Sequence, residues 1–156
     1  MRQHSVTPGS TVTLVAARPT TDQYLHLRAH AGLGSADQKA VETALAGSLH
    51  AVCAFRNNQV IACGRIVGDG GLYFYIEDLI VETASRGHGI GGRVLQALLE
   101  WLKATAREGA HIGLTASGNA SGFFARYGFR ESPDARPGMF LPPAALQPGK
   151  FSSPSR

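Results

Sequence analysis

The spacing of apolar residues along this chain predicts alternating strands and helices. Between Val94 and Leu102 they recur every three or four positions with polar residues between them, which predicts a long amphipathic helix packed on a sheet. Upstream, two short apolar runs flank Asn57-Asn58 and predict a β-hairpin, and a further run, residues 72–81, follows an Asp-Gly-Gly turn. The predicted order is strand, two helices, three strands, helix, strand, helix and two strands.

These elements predict an α/β (α+β) chain with a mixed central sheet of about seven strands and about four helices. The predicted boundaries are a strand at 11–17, a helix from Thr20 to Gly32, a helix capped by Ser35 with Val41, Leu45 and Leu49 inside, a strand at 111–116, a short helix at 120–127, a strand from Phe129 and a strand near 139–141. We expect one domain at 11–141, after a flexible N-terminus at 1–10. Residues 142–156 read as a Pro/Ser-rich disordered tail, with an arm across a dimer partner as the alternative.

Length and composition fit one domain with one core and argue against several classes of protein. The chain has 156 residues, 44% of them hydrophobic, and a net charge of +4. Its basic residues are scattered rather than clustered, so no nucleic-acid partner is expected. Apolar runs too short for a membrane span and a polar start without a secretory stretch predict a cytoplasmic protein with no membrane partner. Cys53 and Cys63 fall on the two hairpin strands, where we expect buried free thiols rather than a disulfide.

Residues 86–93, Arg-Gly-His-Gly-Ile-Gly-Gly-Arg, join an apolar strand to the long helix and predict a phosphate-binding turn. The first N–H groups of a helix have no partner inside it, the helix dipole adds positive charge, and glycine lets the backbone approach an anion. A P-loop does not fit, because Gly92 is followed by Arg93 instead of Lys and Ser or Thr. A dinucleotide site fits the glycines but needs an acidic residue after the next strand, which ends in Ser-Gly-Asn.

The pattern Arg86-x-x-Gly89-x-Gly91, after a strand reading Asp-Leu-Ile-Val, resembles motif A of the GNAT superfamily of N-acetyltransferases. Residues 120–129, Ala-Ser-Gly-Phe-Phe-Ala-Arg-Tyr-Gly-Phe, resemble the second signature of that family, in the right order and spacing. The resemblance, which is to the small-amine branch, implies a GNAT fold whose sheet is splayed between strands four and five, with acetyl-CoA as cosubstrate. The residues that it assigns to the cofactor are Leu79, Ile80, Val81, Arg86, Gly87, His88, Gly89, Ile90, Gly91, Gly92, Arg93 and Phe124.

Acyl transfer to an amine needs a base, because a primary amine of pKa ~10 is mostly protonated at neutral pH. Glu77 is the favoured base and Asp78 the second candidate, and strand alternation predicts that they point to opposite faces. Either acid has an alternative role in pairing with an arginine or capping a loop. Many relatives carry a tyrosine that can protonate the leaving thiolate; Phe124 occupies its place here, and Tyr127, one helical turn on, is the candidate substitute with a modest contribution or none.

The expected acceptor is the primary amine of a small molecule, which attacks directly in a ternary complex. Tyr24, Tyr73 and Tyr75 are predicted to line its cleft, although aromatic residues on strands more often belong to a core. The alternatives are an acetyltransferase acting on a protein or peptide amine and a non-catalytic acyl-CoA-binding sensor. No metal is expected, because His26 and His30 lack a nearby third ligand. The resemblance to the family also implies a homodimer.

Overall fold

The computed structural model of the chain describes residues 10–131, 139 and 141–146. The chain divides into two units, Met1–Thr115 and Ala116–Arg156. Nearly all of the predicted flexible N-terminus and most of the predicted tail lie outside the described residues, apart from a 3-10 turn at Pro143–Leu146. None of the described helices combines the length and apolarity needed to cross a lipid bilayer.

One mixed sheet forms the first unit. Its strands are Thr13–Val15 (β1), His50–Arg56 (β2), Gln59–Gly68 (β3), Tyr73–Val81 (β4) and His111–Leu114 (β5). They lie in the order β1-β2-β3-β4-β5, with every neighbouring pair antiparallel except β4 and β5, which are parallel. The mixed α/β architecture is therefore confirmed.

The hairpin between β2 and β3 was predicted from Asn57-Asn58, and both residues adopt the left-handed region with φ of 49° and 63°. Positive φ at both central residues is the mark of the type I′ turn, whose twist matches that of the flanking strands. Cys53 lies directly opposite Cys63. Both thiols are buried and free, as expected.

The helices are Thr21–His30 (α1), Gln38–Ala46 (α2), Ile90–Thr105 (α3) and, in the second unit, Ser121–Ala125 (α4). Thr20 and Gln23 form a reciprocal capping box at the start of α1. The predicted cap of α2 at Ser35 is wrong: Asp37 caps it, because its carboxylate accepts the Ala40 N–H at 2.8 Å. The helix also ends at Ala46, so Leu49 lies beyond it.

The two faces of the sheet are covered by different helices. On one face α1 and α2 pack with β2, β3 and β4 through a buried cluster of Tyr24, Leu27, Ala31, Val41, Leu45, Cys53, Val60, Cys63 and Ile80. On the other face α3 contributes its buried residues Ile90, Val94, Leu95, Leu98 and Leu102. These residues include most of the apolar rows that the sequence predicts for that helix.

The described residues form five strands rather than about seven. Residues 129–131, Met139 and Leu141 are not in strands, and the rest of the last two predicted strands lies outside the described residues. The predicted short helix is present but spans only Ser121–Ala125.

Candidate active site

The regular pairing of β4 with β3 is interrupted at the two acidic residues that the sequence marks as candidate bases. Cys63 pairs with Ile80 and Arg65 with Glu77, so the single residue Gly64 faces two residues, Asp78 and Leu79. Two residues opposite one is the definition of a β-bulge. The φ of Asp78 is 52°, in the left-handed region that non-glycine residues seldom adopt.

The bulge places Glu77 and Asp78 on the same face of the sheet. Arg65, directly opposite Glu77, binds the Asp78 carboxylate through Nε at 2.5 Å and the C-terminal end of α2 through Nη1. Both acids therefore face α1 and α2, and the prediction of opposite faces is wrong. Strict alternation holds only in a regular strand, and the extra residue shifts it by one position.

The sheet opens between β4 and β5. The pairing of the two strands runs only from Tyr73 with His111 to Ile76 with Leu114, so within the first unit β5 ends before the bulge and the second half of β4. This geometry agrees with the predicted splay between strands four and five.

On the side of β4 that faces away from β3, the backbone N–H and C=O of Val81 point into the opening of the sheet. The Glu82 N–H donates to the Ile61 carbonyl at 2.9 Å, which makes the next pair, Val81 with Ala62, a non-hydrogen-bonded one. Val81 therefore directs its N–H and C=O away from β3, whereas Ile80 directs its N–H toward β3. The Val81 carbonyl accepts a hydrogen bond from Arg86 Nε at 3.2 Å.

The glycine-rich turn leads from the end of β4 into α3. Gly87 and Gly89 have φ of 80° and 75°, and Gly89 occupies the N-cap position without a side-chain cap. The first N–H bonded inside the helix is that of Arg93, which donates to the Gly89 carbonyl at 3.1 Å. The N–H groups of Ile90 and its two glycine successors thus have no partner within the helix, and the turn is exposed at residues 86–89.

The two arginines of the turn brace it against the rest of the first unit. Arg86 donates to the carbonyls of Val81 and Ala31, the latter at 3.1 Å, and Arg93 donates to the Val12 carbonyl at 3.2 Å. His88 Nδ1 lies 2.9 Å from the Arg86 carbonyl. The backbone of the turn is therefore held in place, and both guanidinium groups add positive charge beside the start of α3.

A model of the acetyltransferase (GNAT) domain family matches residues 20–137. The chain belongs to the GNAT family. Its structure superposes on a protein from meticillin-resistant Staphylococcus aureus described as a probable acetyltransferase, with a TM-score of 0.79 at 26% identity, covering 85% of this chain and 99% of that one.

Two further similarities bear on this GNAT protein. A predicted acetyltransferase from Clostridium acetobutylicum, whose crystal structure was determined with acetyl-CoA, matches with a TM-score of 0.63 at 21% identity, over 85% of this chain and 96% of that one. Serotonin N-acetyltransferase 2, chloroplastic, from rice (Oryza sativa subsp. japonica) is 33% identical over 79 residues, which is 51% of this chain and 38% of that relative. The chain thus spans well under half the length of the curated relative it matches.

The two candidate bases, Glu77 and Asp78, differ in their surroundings. Burial raises the pKa of Glu77, the negative charge of Asp78 adds to the rise, and Arg65 opposes it. Asp78 is instead tied into the ion pair with Arg65. A carboxylate with a raised pKa and no ion pair of its own suits a base, and Glu77 matches that description better than Asp78.

Aromatic side chains lie on the same face as Glu77. Tyr75 precedes Glu77 by two residues and Tyr73 by four, and their side chains are 37% and 51% exposed. The His111 ring of β5 lies 5.6 Å from the ring of Tyr75 and 6.0 Å from that of Tyr73. Tyr24, the third predicted acceptor residue, is only 6% exposed and belongs to the core under α1.

Phe124 and Tyr127 lie in the second unit. Both rings pack on Phe123, at centroid distances of 5.1 Å for Phe124 and 5.4 Å for Tyr127. Phe124 is half-buried, whereas Tyr127 is 36% exposed. Packing on Phe123 is sufficient to explain the partial burial of Phe124. The role of Tyr127 as a proton donor stays a prediction.

Sequence reasoning missed Arg65. Arg65 interrupts the apolar run Val-Ile-Ala-Cys-Gly-Arg-Ile of β3, and a charged residue inside a buried strand needs a partner. That signal was present, but the identity of the partner depends on the bulge.

Across the residues that the structure describes, no group of three or more His, Cys, Asp or Glu side chains is placed to hold a metal ion.

Proposed function

We propose that this GNAT protein is an N-acetyltransferase that moves an acetyl group from acetyl-CoA to the primary amine of a small molecule, by direct attack in a ternary complex. The observation that carries the proposal is the glycine-rich start of α3 beside the open half of the strand that bears Glu77. A diphosphate-bearing thioester requires an anion-binding site such as this helix start, and an incoming amine requires a base such as Glu77 on the preceding strand.

The turn would hold the diphosphate through backbone N–H groups. Ile90, Gly91 and Gly92 supply N–H groups that the helix leaves free, and Gly89 adds no side chain in front of them. Arg86 and Arg93 would contribute charge. The proposal thus assigns recognition of the coenzyme to the main chain, with side chains in a supporting role.

The reaction would use Glu77 and the open half of β4. Glu77 would take the proton of the ammonium group, and the freed nitrogen would then attack the thioester carbonyl carbon. The Val81 N–H, directed away from β3, would donate to the carbonyl oxygen as it gains negative charge. The nitrogen then loses its second proton to solvent as the carbon–sulfur bond breaks, and the departing thiolate takes a proton from solvent or from Tyr127.

The acceptor that this face suits best is a small amine with an aromatic or flat apolar part. Tyr73, Tyr75 and His111 present ring surface beside Glu77, and aromatic rings stack favourably on one another. The similarity to a serotonin N-acetyltransferase supports the same choice.

A cytoplasmic location and a homodimer are further parts of the proposal. Cell fractionation would check the location, and light scattering would check the dimer.

Ligand binding is the first test. We expect acetyl-CoA and CoA, but not NAD or ATP, to raise the melting temperature, since a ligand at 100 times its Kd stabilises the native state by about 2.7 kcal/mol. Absence of any shift with acetyl-CoA or CoA would overturn the proposal. A shift with NAD instead would point to an oxidoreductase.

Turnover is the second test, measured as release of the CoA thiol with a panel of aromatic amines, polyamines and short peptides. We expect Glu77→Gln to lower kcat by about 10²–10⁴-fold while keeping the CoA-induced melting shift. Glu100→Gln, an exposed carboxylate of α3, is the matched control and should leave kcat unchanged. Binding without turnover on any amine would identify a sensor, and turnover on peptides alone would move the acceptor to a protein amine.

A further inference from the structure

Arg65 is the charged centre of the sheet face that carries both acids. Its side chain is only 15% exposed, and it makes three contacts: Nε binds Asp78 at 2.5 Å, while Nη1 donates to the Ala44 carbonyl at 3.1 Å and to Ser48 Oγ at 3.2 Å. One guanidinium therefore connects the bulge of β4 to the C-terminal end of α2. Because it is held from two sides, its position is defined by the fold.

Glu77 and Asp78 present a problem of like charge that this guanidinium resolves. The bulge turns both carboxylates to one face, and Arg65 stands opposite the first while binding the second. Two neighbouring carboxylates without a cation tend to share one proton, and their titrations become coupled. An arginine bound to only one of them breaks the symmetry of the pair.

We propose that Arg65 is a positioning residue: it holds Asp78 against α2 as a structural partner, so that Glu77 alone serves the acceptor amine. The proposal rests on the proposed acetyltransferase function and deepens it by assigning different roles to the two acids. It also explains the left-handed backbone of Asp78. In a regular strand the Asp78 side chain would point to the α3 face, away from Arg65.

The other ionisable groups on this face are few. Tyr24 of α1 lies near Asp78; burial raises the pKa of its phenol, a hydrogen bond from Arg28 lowers it, and Asp78 raises it further. Tyr75 neighbours Glu77 on β4, and His111 of β5 contacts the Tyr75 ring. Among the described groups, the charges that act on the pKa of Glu77 are those of Asp78 and Arg65.

The test is the pH dependence of kcat/KM in Arg65→Gln, with Arg18→Gln as a matched control. Arg18 also donates to the Ser48 segment, through Nη2 to the Ser48 carbonyl at 2.6 Å, but makes no ion pair with Asp78. Without Arg65 the acid limb should move to higher pH by about one unit, since an opposite charge at close range typically shifts a carboxyl by one to three units. Arg65→Lys keeps the charge and should keep the limb close to its wild-type position.

A double variant tests the assignment of roles and removes the risk of an unpaired buried charge. Arg65→Gln combined with Asp78→Asn removes one positive and one negative charge. Because the two charges act on Glu77 in opposite directions, the acid limb should return toward its wild-type position. If this variant has no turnover although it is folded and binds CoA, Asp78 is the base and the proposal is overturned. An acid limb in Arg65→Gln that matches Arg18→Gln overturns it as well.

A readout independent of turnover separates this proposal from the proposed function. The pKa of Glu77 can be followed by carbon NMR of its carboxyl group in the wild type, Arg65→Gln and Arg18→Gln. We expect a rise only in Arg65→Gln. If the wild type is inactive but the pKa of Glu77 rises in Arg65→Gln, the acetyltransferase function is overturned and the link between Arg65 and Glu77 stands. If the wild type is active and the pKa does not rise in Arg65→Gln, the function stands and the role of Arg65 is overturned.

Discussion

Replacing Gly89 by alanine tests the turn on which the site depends, and its cost can be estimated from the backbone. Gly89 has φ of 75°, and a Cβ built there meets no atom within 4 Å. The substitution therefore adds no clash, only the strain of a left-handed alanine, about 1–2 kcal/mol. For a chain of this size each kcal/mol lowers the melting temperature by roughly 2–4 °C.

Gly109→Ala is a control matched in both respects. Gly109 follows α3, has φ of 84° and likewise meets nothing within 4 Å. Both variants should lose similar stability in the absence of ligand. Gly89 is the N-cap residue of α3, so we expect a methyl group there to obstruct a diphosphate bound at the free N–H groups, whereas one at Gly109, after the other end of α3, should not.

The assay is the melting shift at a fixed excess of CoA. A tenfold weaker Kd reduces the stabilisation by about 1.4 kcal/mol, so the shift in Gly89→Ala should be several degrees smaller than in the wild type and in Gly109→Ala. Gly89→Asn, which tolerates the left-handed region better, should recover stability but not the full shift. Equal CoA shifts in Gly89→Ala and Gly109→Ala would refute the placement of the diphosphate at the turn.

Three further outcomes are expected. Gly64→Ala should lower the free energy of unfolding in urea by about 1–3 kcal/mol, because its Cβ would lie 2.8 Å from Leu98 Cδ1; a loss under about 0.5 kcal/mol would contradict this packing. Burial lowers the pKa of His50, whose ring stacks on Trp101 at 4.9 Å, so the neutral form is favoured in the fold. The stability that His50 contributes is fully present above its pKa in the unfolded chain, near 6.5, and is lost as the pH falls through its lower pKa in the folded protein. Acid should therefore lower the melting temperature less in His50→Phe than in the wild type. Tyr127→Phe should keep kcat within about threefold, because a thiol of pKa ~8.5 leaves readily; abolished turnover with intact CoA affinity would show that the phenol is essential.

Local chemistry made much of the fold predictable. The Asn57-Asn58 turn, the start of α1 beside Thr20 and the amphipathic rows of α3 depend on neighbours within a few residues, and each is present. The cap of α2 shows the limit of such reasoning. Ser35 and Asp37 are both good caps, and the choice between them depends on where the chain enters the helix.

The sequence by itself determined the helix-initiating glycine turn, because φ at glycine and free N–H groups at a helix start are local properties. Only the tertiary structure decided the relation between Glu77 and Asp78. The bulge arises from the register of β4 on β3, and the ion pair that accompanies it joins Asp78 to Arg65, thirteen residues away along the chain. Pairing between strands is a long-range choice that alternation along one strand cannot reveal, so the sequence marked Glu77 and Asp78 as candidates but showed neither their common face nor the part of Arg65.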